Sequence, residues 1–575
     1  MEPQAYQETF VLEKLQEIRD DAVAIQDLND WTISFTLMKQ SLNQKIMHLL
    51  RALGPDIMQT YAKEFDAIIQ ACFCNLTGIH DLGPIDLTTI SEQNLLSEAA
   101  KFACAMNQLR YSPKNGGLAI TSMQTVAPAA FFAATLRFYA KINNRPAKNG
   151  GVDPAQVKGG LSEQFIKTAE HFTTRGAEMI KADEDRKNFL NVQLIPHPDV
   201  VLSGQPLDAL QTTIAESQRQ NKLSDFLKQA NPDKMLVEKL RKCNPADTAR
   251  MAHLSTREIP IQQQNHMDIP PDQKITYTPL AFLDRINPNN ADGLSKYQAG
   301  KVIKLIMGLD QDIGFQTCPC GQQFTKDGAH QLCCRQHAAK GWNRGHDLVV
   351  EAIKKETDRL GIQGTTNKQT LSNKYSHAAD GKVADALIKS QGKIQIVDQV
   401  PRHKNNHEDF LFDVTIDVMV QTDGKWKGRV NPGNGEWEDT VLPAAENEKY
   451  RKHEEAYANL SLGFLAFSLS CFCVFGNDLI RYLWVLARLE TKAHEDLRAT
   501  QQLTPFTIQE IGQLRARCMA ASMARIGHAA AKATAMRISG TPCLPILHPP
   551  PRRDTHWAMP GPLDVQHLPC PLLAY

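Results

Sequence analysis

The sequence predicts an α+β fold in which a mainly helical first half is followed by a mixed α/β core. Leucines and isoleucines recur at helical spacing across residues 35–53, and the run stops at a Gly-Pro pair. Further along, the segment FLFDVTIDVMV alternates between apolar and polar residues, as a strand with one buried face does. Between the two halves, four of the 13 cysteines fall within residues 318–334.

Composition narrows the class of protein. A chain of 575 residues with 42% hydrophobic and 22% charged residues is typical of a globular protein with several domains. Its formal net charge of +1 gives no overall attraction to nucleic acid, so any such binding has to come from local patches. The cysteines are too sparse for a disulfide scaffold, and their clustering indicates a metal site in a reducing compartment.

No segment is expected to cross a membrane. The N-terminus is charged and lacks the apolar core of a secretion signal. The most apolar stretch, residues 460–475, is shorter than the roughly 20 residues that a spanning helix needs. Its alternating Phe, Val, Cys and Ser predict a buried strand instead. The sequence therefore indicates a soluble intracellular protein.

The other segments are predicted from the spacing of apolar residues and from Pro, Asn and Gly residues that mark turns and loops. A second helix is expected over residues 57–73, and a third, rich in alanine, begins near Pro128 after the PKNGG turn. We expect these helices to form a scaffold. Residues 141–300 carry many Pro, Asn and Gly loop signals and are interpreted as a helical and loop linker. The Pro-rich tail after residue 540 is expected to be disordered.

The cysteine cluster has the ligand types of a structural zinc site. The stretch TCPCGQQFTKDGAHQLCCRQH offers six thiols and imidazoles, and zinc requires four ligands in a tetrahedron. In the first pair, Cys-Pro-Cys, one residue separates the two cysteines, whereas two to four residues are usual between zinc ligands. The preferred ligands are Cys318, Cys320, His330 and Cys334. Cys333 or His337 could replace one of these four. The alternative is a group of reduced cysteines that binds no metal.

After the cluster, the predicted elements follow in the order helix, strand, strand, helix, strand, helix, as in a small mixed α/β core. The segment RGHDLVVEAIKKETDRLG is the first helix, and KVADALIKSQGKIQIVD supplies two short strands around a turn. The strand FLFDVTIDVMV places Asp413, Thr415 and Asp417 on one face. The helix AENEKYRKHEEAY carries Lys449 and Lys452 on one side.

Charged residues of this core suit metal-dependent phosphodiester hydrolysis. That chemistry needs two or three carboxylate oxygens around Mg²⁺ and a cation near the scissile phosphate. Asp385 and Asp413 lie on adjacent predicted strands and would supply the oxygens. Lys449 or Lys452 would supply the cation, and Glu351 on the first helix is a candidate further ligand. The alternative is that the aspartates are merely solvated at strand edges.

The order of these motifs resembles the C-terminal region of non-LTR retrotransposon proteins that carry a restriction-enzyme-like endonuclease. The succession here is CPCG, GAHQLCC, RGHDLVVEAI, VADALI, FDVTI and AAENEKYRKHE. In that family a CCHC zinc knuckle precedes a PD-(D/E)xK-type nuclease core. The resemblance implies that Asp385 and Asp413 are the two acidic residues of the active site. Lys449 and Lys452 match the family's lysine pair, and His346 matches a histidine ahead of the first helix.

Two segments upstream look like the helical region that follows the polymerase palm in the same proteins. They are SLNQKIMHLLRALGPDIM and PKNGGLAITSMQTVAPAAFFA. The resemblance therefore covers residues 35–135 and 315–530.

The sequence departs from the family pattern in three respects. Ala384 replaces the proline before the first aspartate, and His453 follows the second lysine where a tyrosine or similar residue is usual. No polymerase Asp-Asp motif lies in an apolar strand, so we expect a truncated copy or fragment without the palm.

The resemblance implies a metal-dependent endonuclease that nicks target DNA, with catalytic Mg²⁺ and structural Zn²⁺ as cofactors. A catalytically dead remnant that still binds nucleic acid is the alternative. Expected partners are DNA, the element's RNA, and a polymerase subunit or full-length element protein. The location would be nuclear for an active enzyme and otherwise intracellular. Short basic runs around Trp342, Arg344 and His346 suit phosphate contacts and base stacking.

The fold class is thus α+β, with a mainly helical N-terminal half, a small zinc knuckle and a mixed α/β PD-(D/E)xK-like nuclease core. The predicted domains are a helical region resembling the reverse transcriptase thumb and following helices at 1–140, a helical and loop linker at 141–300, the zinc knuckle at 301–345, the restriction-endonuclease-like domain at 346–495, C-terminal helices at 496–540 and a disordered tail at 541–575.

Overall fold

The computed structural model shows a mixed helical and β protein. Among the residues it describes, the β structure consists of one four-stranded sheet and two two-stranded sheets. The prediction of an α+β class is therefore confirmed, whereas the predicted tail and much of the predicted linker lie outside the described residues. The described residues are 3–28, 30–53, 55–83, 97–124, 126–127, 130, 134, 245–260, 274–284, 293–312, 317–365, 384–389, 409–431, 437–458 and 462–539.

Helices form the described part of the N-terminal half. The predicted helix over residues 35–53 is not continuous, because a 3-10 turn at Leu42–Gln44 separates two helices. Leu42 and Leu50 are nevertheless both buried, so the helical spacing of apolar residues persists across the bend. The helix predicted over residues 57–73 is confirmed, and Pro128 lies outside the described residues. The helices are α1 Pro3–Gln26, α2 Trp31–Gln40, α3 Met47–Ala52, α4 Pro55–Thr77 and α5 Glu98–Arg110.

Aromatic residues hold α2 and α4 together. The rings of Trp31 and Phe35 stack with their centroids 5.0 Å apart. Phe73 of α4 contacts Phe35 with a centroid distance of 6.3 Å. All three side chains are fully buried, so they anchor the packing of this helical region.

The described part of the predicted linker belongs to the main core. It contains a β-hairpin as well as helices. The buried Tyr277 donates its hydroxyl to the carbonyl oxygen of Cys473 at 3.3 Å and accepts from the N–H of Phe475 at 3.0 Å. These contacts tie the hairpin to the C-terminal core, nearly 200 residues away along the chain. The elements are α6 Pro245–Leu254, β1 Arg257–Pro260, β2 Lys274–Tyr277 and α7 Lys296–Met307.

The C-terminal part is built around the four-stranded sheet, whose strand order is β3-β4-β5-β8. Strand β4 is antiparallel to β3 and β5, and β5 is parallel to β8. The first helix begins at Arg335 rather than at Arg344, and the strand predicted around residues 393–398 lies outside the described residues. The elements are α8 Ala329–Cys333, α9 Arg335–Asp358, β3 Gln363–Thr365, β4 Ala386–Lys389, β5 Asp409–Asp417, β6 Arg429–Val430, β7 Trp437–Glu438, α10 Val441–Ala458, β8 Gly463–Ser470, α11 Asn477–Thr500 and α12 Ile508–Ser539.

Alternation along β5 gives the sheet two different faces. Phe410 and Phe412 belong to the main hydrophobic core, whereas Leu411 packs with Tyr450 of α10 in a smaller cluster. Because side chains alternate along a strand, Asp413 lies on the same face as Leu411. All eight residues of β8 are buried, which confirms the buried strand predicted within residues 460–475. The sheet therefore presents Asp413 towards α10.

Helix α12 packs along α9 and accounts for most of the C-terminal helical region predicted at 496–540. Gly345 allows the two backbones to approach, since a Cβ there would lie 3.0 Å from the Cα of Ala533. Glu356 of α9 accepts hydrogen bonds from Ser522 at 2.7 Å and from Arg525 at 2.6 Å. Among the described helices, none is both long enough and apolar enough to cross a membrane.

Candidate functional site

Cys318 and Cys320 lie in a tight turn that precedes α8. The N–H of Gly321 donates to the carbonyl oxygen of Cys318 at 2.8 Å, and the N–H of Cys318 donates to the carbonyl oxygen of Gln322 at 2.8 Å. Gly321 has a φ of +86°, a conformation that a residue with a Cβ rarely adopts. The flanking residues pair as an antiparallel bridge. The close Cys-Pro-Cys spacing is therefore part of a small hairpin.

His330 and Cys334, from α8 and its C-terminal end, complete a group of four. The four ligand atoms lie within 4.8 Å of one another. Cys318 Sγ is 3.5 Å from Cys334 Sγ, and Cys320 Sγ is 3.5 Å from His330 Nε2. Zinc bonds of about 2.0–2.3 Å at tetrahedral angles place ligand atoms roughly 3.3–3.8 Å apart. The preferred four residues thus have the donor types and spacing to bind a metal such as zinc.

The thiols of this group differ in acidity. Burial raises the pKa of Cys318 to about 11, and hydrogen bonds with the thiols of Cys320 and Cys334 add to the shift. Burial also opposes ionisation of Cys334, but its pKa is lowered overall by the backbone N–H of His337 in the first turn of α9 and by the thiols of Cys318 and Cys320. Neighbouring thiolates repel one another, so ionisation of all three thiols requires a cation among them.

The two alternative ligands are engaged elsewhere. Cys333 Sγ donates to the carbonyl oxygen of Val420 at 3.1 Å, in the segment that follows β5. His337 Nε2 lies 3.1 Å from the carbonyl oxygen of Ile538, to which it donates. The structure therefore separates both residues from the preferred four.

Asp385 and Asp413 lie opposite each other where β4 begins. The N–H of Asp385 donates to the carbonyl oxygen of Phe412 at 3.0 Å, next to the first paired position of β4 and β5. Asp385 Oδ2 accepts from the N–H of Val414 at 2.8 Å. The two carboxyl groups are hydrogen-bonded to each other, and only 5% and 6% of these residues is exposed. They form a buried acidic pair rather than two solvated strand-edge residues.

Side chains from two helices contact this pair. His346 Nε2 of α9 lies 3.0 Å from Asp385 Oδ2. Lys449 Nζ of α10 donates to Asp413 Oδ2 at 2.7 Å. His453, one turn further along α10, places its Nε2 3.5 Å from the same oxygen. The structure therefore brings together three residues on which the resemblance placed the active site, with His346 beside them.

The two carboxyl groups ionise very differently. Burial raises the pKa of Asp413 above its usual range, and the negative charge of Asp385 raises it further. Burial acts in the same direction on Asp385, but hydrogen bonds from His346 and Asp413 bring its pKa below the usual range. Two carboxylates this close repel each other, so the pair keeps one proton at a pH where an ordinary aspartate has lost it.

The other predicted site residues lie apart from the pair. Lys452 forms an ion pair with Glu448 on its own helix. Glu351 lies 3.6 Å from Lys354 on its own helix, and among the described residues it joins no group of three metal-ligand atoms within 4.8 Å. Arg344 is exposed on α9, and the side chain of Trp342 lies outside the described residues.

Comparison of the chain with models of known protein families gives no match, and comparison with curated protein sequences gives none either. The resemblance to retrotransposon proteins therefore stays a prediction that rests on the motifs and on the geometry of the residues they contain.

A buried Ser–His–Asp network lies at the end of β8, and no sequence pattern predicted it. His253 Nε2 lies 2.9 Å from Ser470 Oγ, and its Nδ1 lies 3.3 Å from Asp439 Oδ2. Asp439 also accepts from Arg257 at 2.9 Å and caps α10 by accepting from the N–H of Val441 at 3.0 Å. His253 and Ser470 are both 0% exposed, so the network is a structural tie that fixes the start of α10. Its members come from three distant segments and have no local spacing signal.

We expect His253 to contribute stability that is lost as the pH falls, because this histidine has to stay neutral. Burial lowers the pKa of this histidine from 6.5 to about 4, so between these values the unfolded chain binds a proton that the folded chain does not. The stabilisation is complete above the unfolded pKa and is lost as the pH falls towards the folded pKa, by about 3 kcal/mol at most. Urea unfolding near neutral pH and near pH ~5 measures the loss.

His253→Asn is the matched variant, since asparagine keeps hydrogen-bonding groups but does not titrate in this range. Its unfolding free energy should be lower than that of the wild type near neutral pH, and the difference between the two proteins should shrink as the pH falls. A difference that stays constant with pH would show that His253 does not contribute this pH dependence.

Proposed function

We propose that this protein is a metal-dependent DNA endonuclease that nicks target DNA. The observation that carries the proposal is the buried Asp385–Asp413 pair, with Lys449 Nζ 2.7 Å from Asp413 Oδ2. Placing two acidic groups together away from water costs stability. Such groups with strongly shifted pKa values therefore concentrate at functional sites.

The order of elements around the pair supports this proposal. Helix α9 leads into β3, β4 and β5, α10 follows, and β8 then joins the sheet parallel to β5. The two aspartates occupy neighbouring strands, as the resemblance to a PD-(D/E)xK-type core implies. Ala384, in place of the family's proline, packs in the small cluster with Leu387 and Tyr450. That replacement alters packing and leaves both acidic groups in place.

The ligand types of the pair suit Mg²⁺, because hard carboxylate oxygens are those that this ion prefers. His346 Nε2 lies 3.0 Å from Asp385 Oδ2 and 3.1 Å from the carbonyl oxygen of Val414. Asp385 and Asp413 would hold the ion, which when bound supplies Lewis-acid activation of phosphate and water.

The surrounding residues would each contribute a separate part of the chemistry. Lys449 contacts the buried Asp413, and 28% of its side chain is exposed. Its ammonium group can therefore also face a bound phosphate. There it would offset developing negative charge or orient the attacking water. His346 would hold Asp385 in place through its Nε2. Arg344, exposed on the same helix, is available for phosphate contacts.

The alternative function is nucleic-acid binding without cleavage, and one feature favours it. His346 and Lys449 already neutralise the two carboxyl groups, as they would in a purely structural ion-pair cluster. In that case the cysteine group and the basic start of α9 would still bind DNA or the element's RNA. A plasmid-nicking assay beside a mobility-shift assay separates the two functions, because a binding remnant shifts DNA without nicking it.

Lys449→Met is expected to slow nicking by about 10²–10³-fold, because it removes the lysine that contacts the acidic pair. The full-length chain is incubated with supercoiled plasmid and Mg²⁺ or Mn²⁺, and the initial rate of open-circle formation is measured. Lys452→Met is the matched control, three residues along the same helix and paired with Glu448, and it should nick at nearly the wild-type rate. Normal nicking by Lys449→Met would remove this lysine from the proposed active site.

A further inference from the structure

We propose a second zinc-binding site, separate from the cysteine cluster, formed by Glu490 and His494 of α11 and Cys518 of α12. The ligand atoms of these three residues lie within 4.8 Å of one another. Within the described part of the chain, this is the only group besides the cysteine cluster that brings three or more such atoms so close.

The three residues have suitable chemistry and spacing for zinc. Glu490 and His494 are four residues apart on one helix, which places both side chains on the same face. Cys518 comes from the neighbouring helix, which packs along α11. Carboxylate, imidazole and thiolate all bind zinc at about 2.0–2.3 Å. An adjustment of about one ångström brings the observed separations to the tetrahedral range.

The surroundings of the group indicate an open site. Cys518 is buried at 8% exposure, Glu490 is half-buried and His494 is exposed. An ion can therefore reach the group from the solvent side, where a fourth position is left for water. Three protein ligands with an open fourth position distinguish exchangeable and reactive zinc sites from closed structural ones. We therefore expect weaker binding here than at the four-ligand cysteine cluster.

An arginine competes for one of the ligands without closing the site. Arg359 holds both oxygens of Glu490, since its Nη1 donates to Oε1 and its Nη2 donates to Oε2 at 2.8 Å, and Nη2 also lies 3.4 Å from Glu356 Oε2. Because Arg359 keeps Glu356 as a partner, a Glu490 oxygen can turn towards zinc without leaving the guanidinium unpaired.

Binding at this site replaces a proton with zinc. The Cys518 thiol is hydrogen-bonded to the Glu490 carboxylate. On binding, the S–H bond breaks, the proton goes to solvent and a Zn–S bond forms. The ion would thereby link α11 to α12, the helix that also packs along α9.

Zinc titration of the full-length protein, with elemental analysis before and after removal of loosely held ions, tests this site. The wild type should bind two equivalents, one tightly and one weakly. His494→Ala should weaken the second equivalent at least about tenfold without affecting the fold, because this side chain is exposed. Lys492→Ala, an equally exposed change on the same helix, is the control and should keep both equivalents.

Cys518→Ser provides an independent readout, because it removes the thiolate. In Co²⁺-loaded wild-type protein the second equivalent should add thiolate-to-metal charge-transfer absorption, and this increment should be missing in Cys518→Ser. A single zinc equivalent in the wild type would overturn the proposal. So would a second equivalent that survives either His494→Ala or Cys518→Ser. None of these outcomes depends on whether the protein cleaves DNA.

Discussion

Asp413→Asn is expected to abolish DNA nicking while leaving the protein folded and at least as stable as the wild type. Asparagine has nearly the shape of aspartate but cannot ionise, so it removes a metal ligand and keeps the packing between β5 and α10. A bound metal supplies on the order of several kcal/mol of transition-state stabilisation, which corresponds to a loss of about 10³-fold or more in rate. Open-circle formation from supercoiled plasmid by the full-length protein measures this loss.

The expected stability of this variant follows from the raised pKa of Asp413. Since burial and the neighbouring Asp385 raise that pKa, the wild type loses stability as the pH rises from the usual aspartate pKa towards the raised one. The uncharged asparagine avoids this cost, and urea unfolding near neutral pH should show an equal or higher unfolding free energy.

A substitution that removes activity but keeps stability is typical of a functional residue, whereas a substitution of a structural residue lowers both. Asp423→Asn is the control, because this aspartate lies on the surface beside Lys425 and should affect neither property. Full nicking activity in Asp413→Asn would exclude the acidic pair as the source of cleavage.

The sequence was most informative where ligands are close along the chain. The predicted zinc ligands Cys318, Cys320, His330 and Cys334 fall in one short segment with two alternative ligands, and the preferred four are those that the structure groups. The acidic pair needed more information. Alternation in β5 placed Asp413 on one face, and the order of predicted strands suggested Asp385 as its neighbour. The resemblance was needed to support that pairing, because the pairing of two strands is set by tertiary packing.

Contacts between distant segments were beyond the sequence analysis. The hydrogen bond between His253 and Ser470 joins residues 217 positions apart, and no periodicity records such a pairing. The start of α9 was also misplaced, at Arg344 instead of Arg335. The residues between them are mostly polar and lack apolar periodicity, yet they are helical, because α12 packs along this helix and Cys334 stands at its N-cap.

The cysteine cluster and the proposed nuclease core are physically connected. Cys334 is both a predicted zinc ligand and the N-cap residue of α9, the helix that carries His346 to the acidic pair. Asp327, between the two halves of the cluster, lies close to Gly424 in the segment after β5, since a Cβ on that glycine would be 2.9 Å from its carboxylate. Zinc bound at the cluster would therefore hold the first turn of α9 in position.

Cys334→Ser is accordingly expected to remove the tightly bound zinc and to destabilise the protein far more than Cys333→Ser. Structural zinc in small domains contributes on the order of 10 kcal/mol of apparent binding free energy, and even a fraction of that exceeds the roughly 1 kcal/mol of one hydrogen bond. Elemental analysis and thermal unfolding with and without a chelator compare the two variants. Cys333 faces the carbonyl of Val420, so its variant should keep the zinc.

The pair of adjacent variants also tests whether the cluster supports cleavage. If α9 depends on zinc for its first turn, Cys334→Ser should lose nicking activity as well as zinc, while Cys333→Ser keeps both. Equal zinc contents in the two variants would reject the predicted ligand set. Loss of zinc with undiminished nicking would instead show that the acidic pair is positioned by the sheet and α10 alone, because β4, β5 and Lys449 reach it without α9.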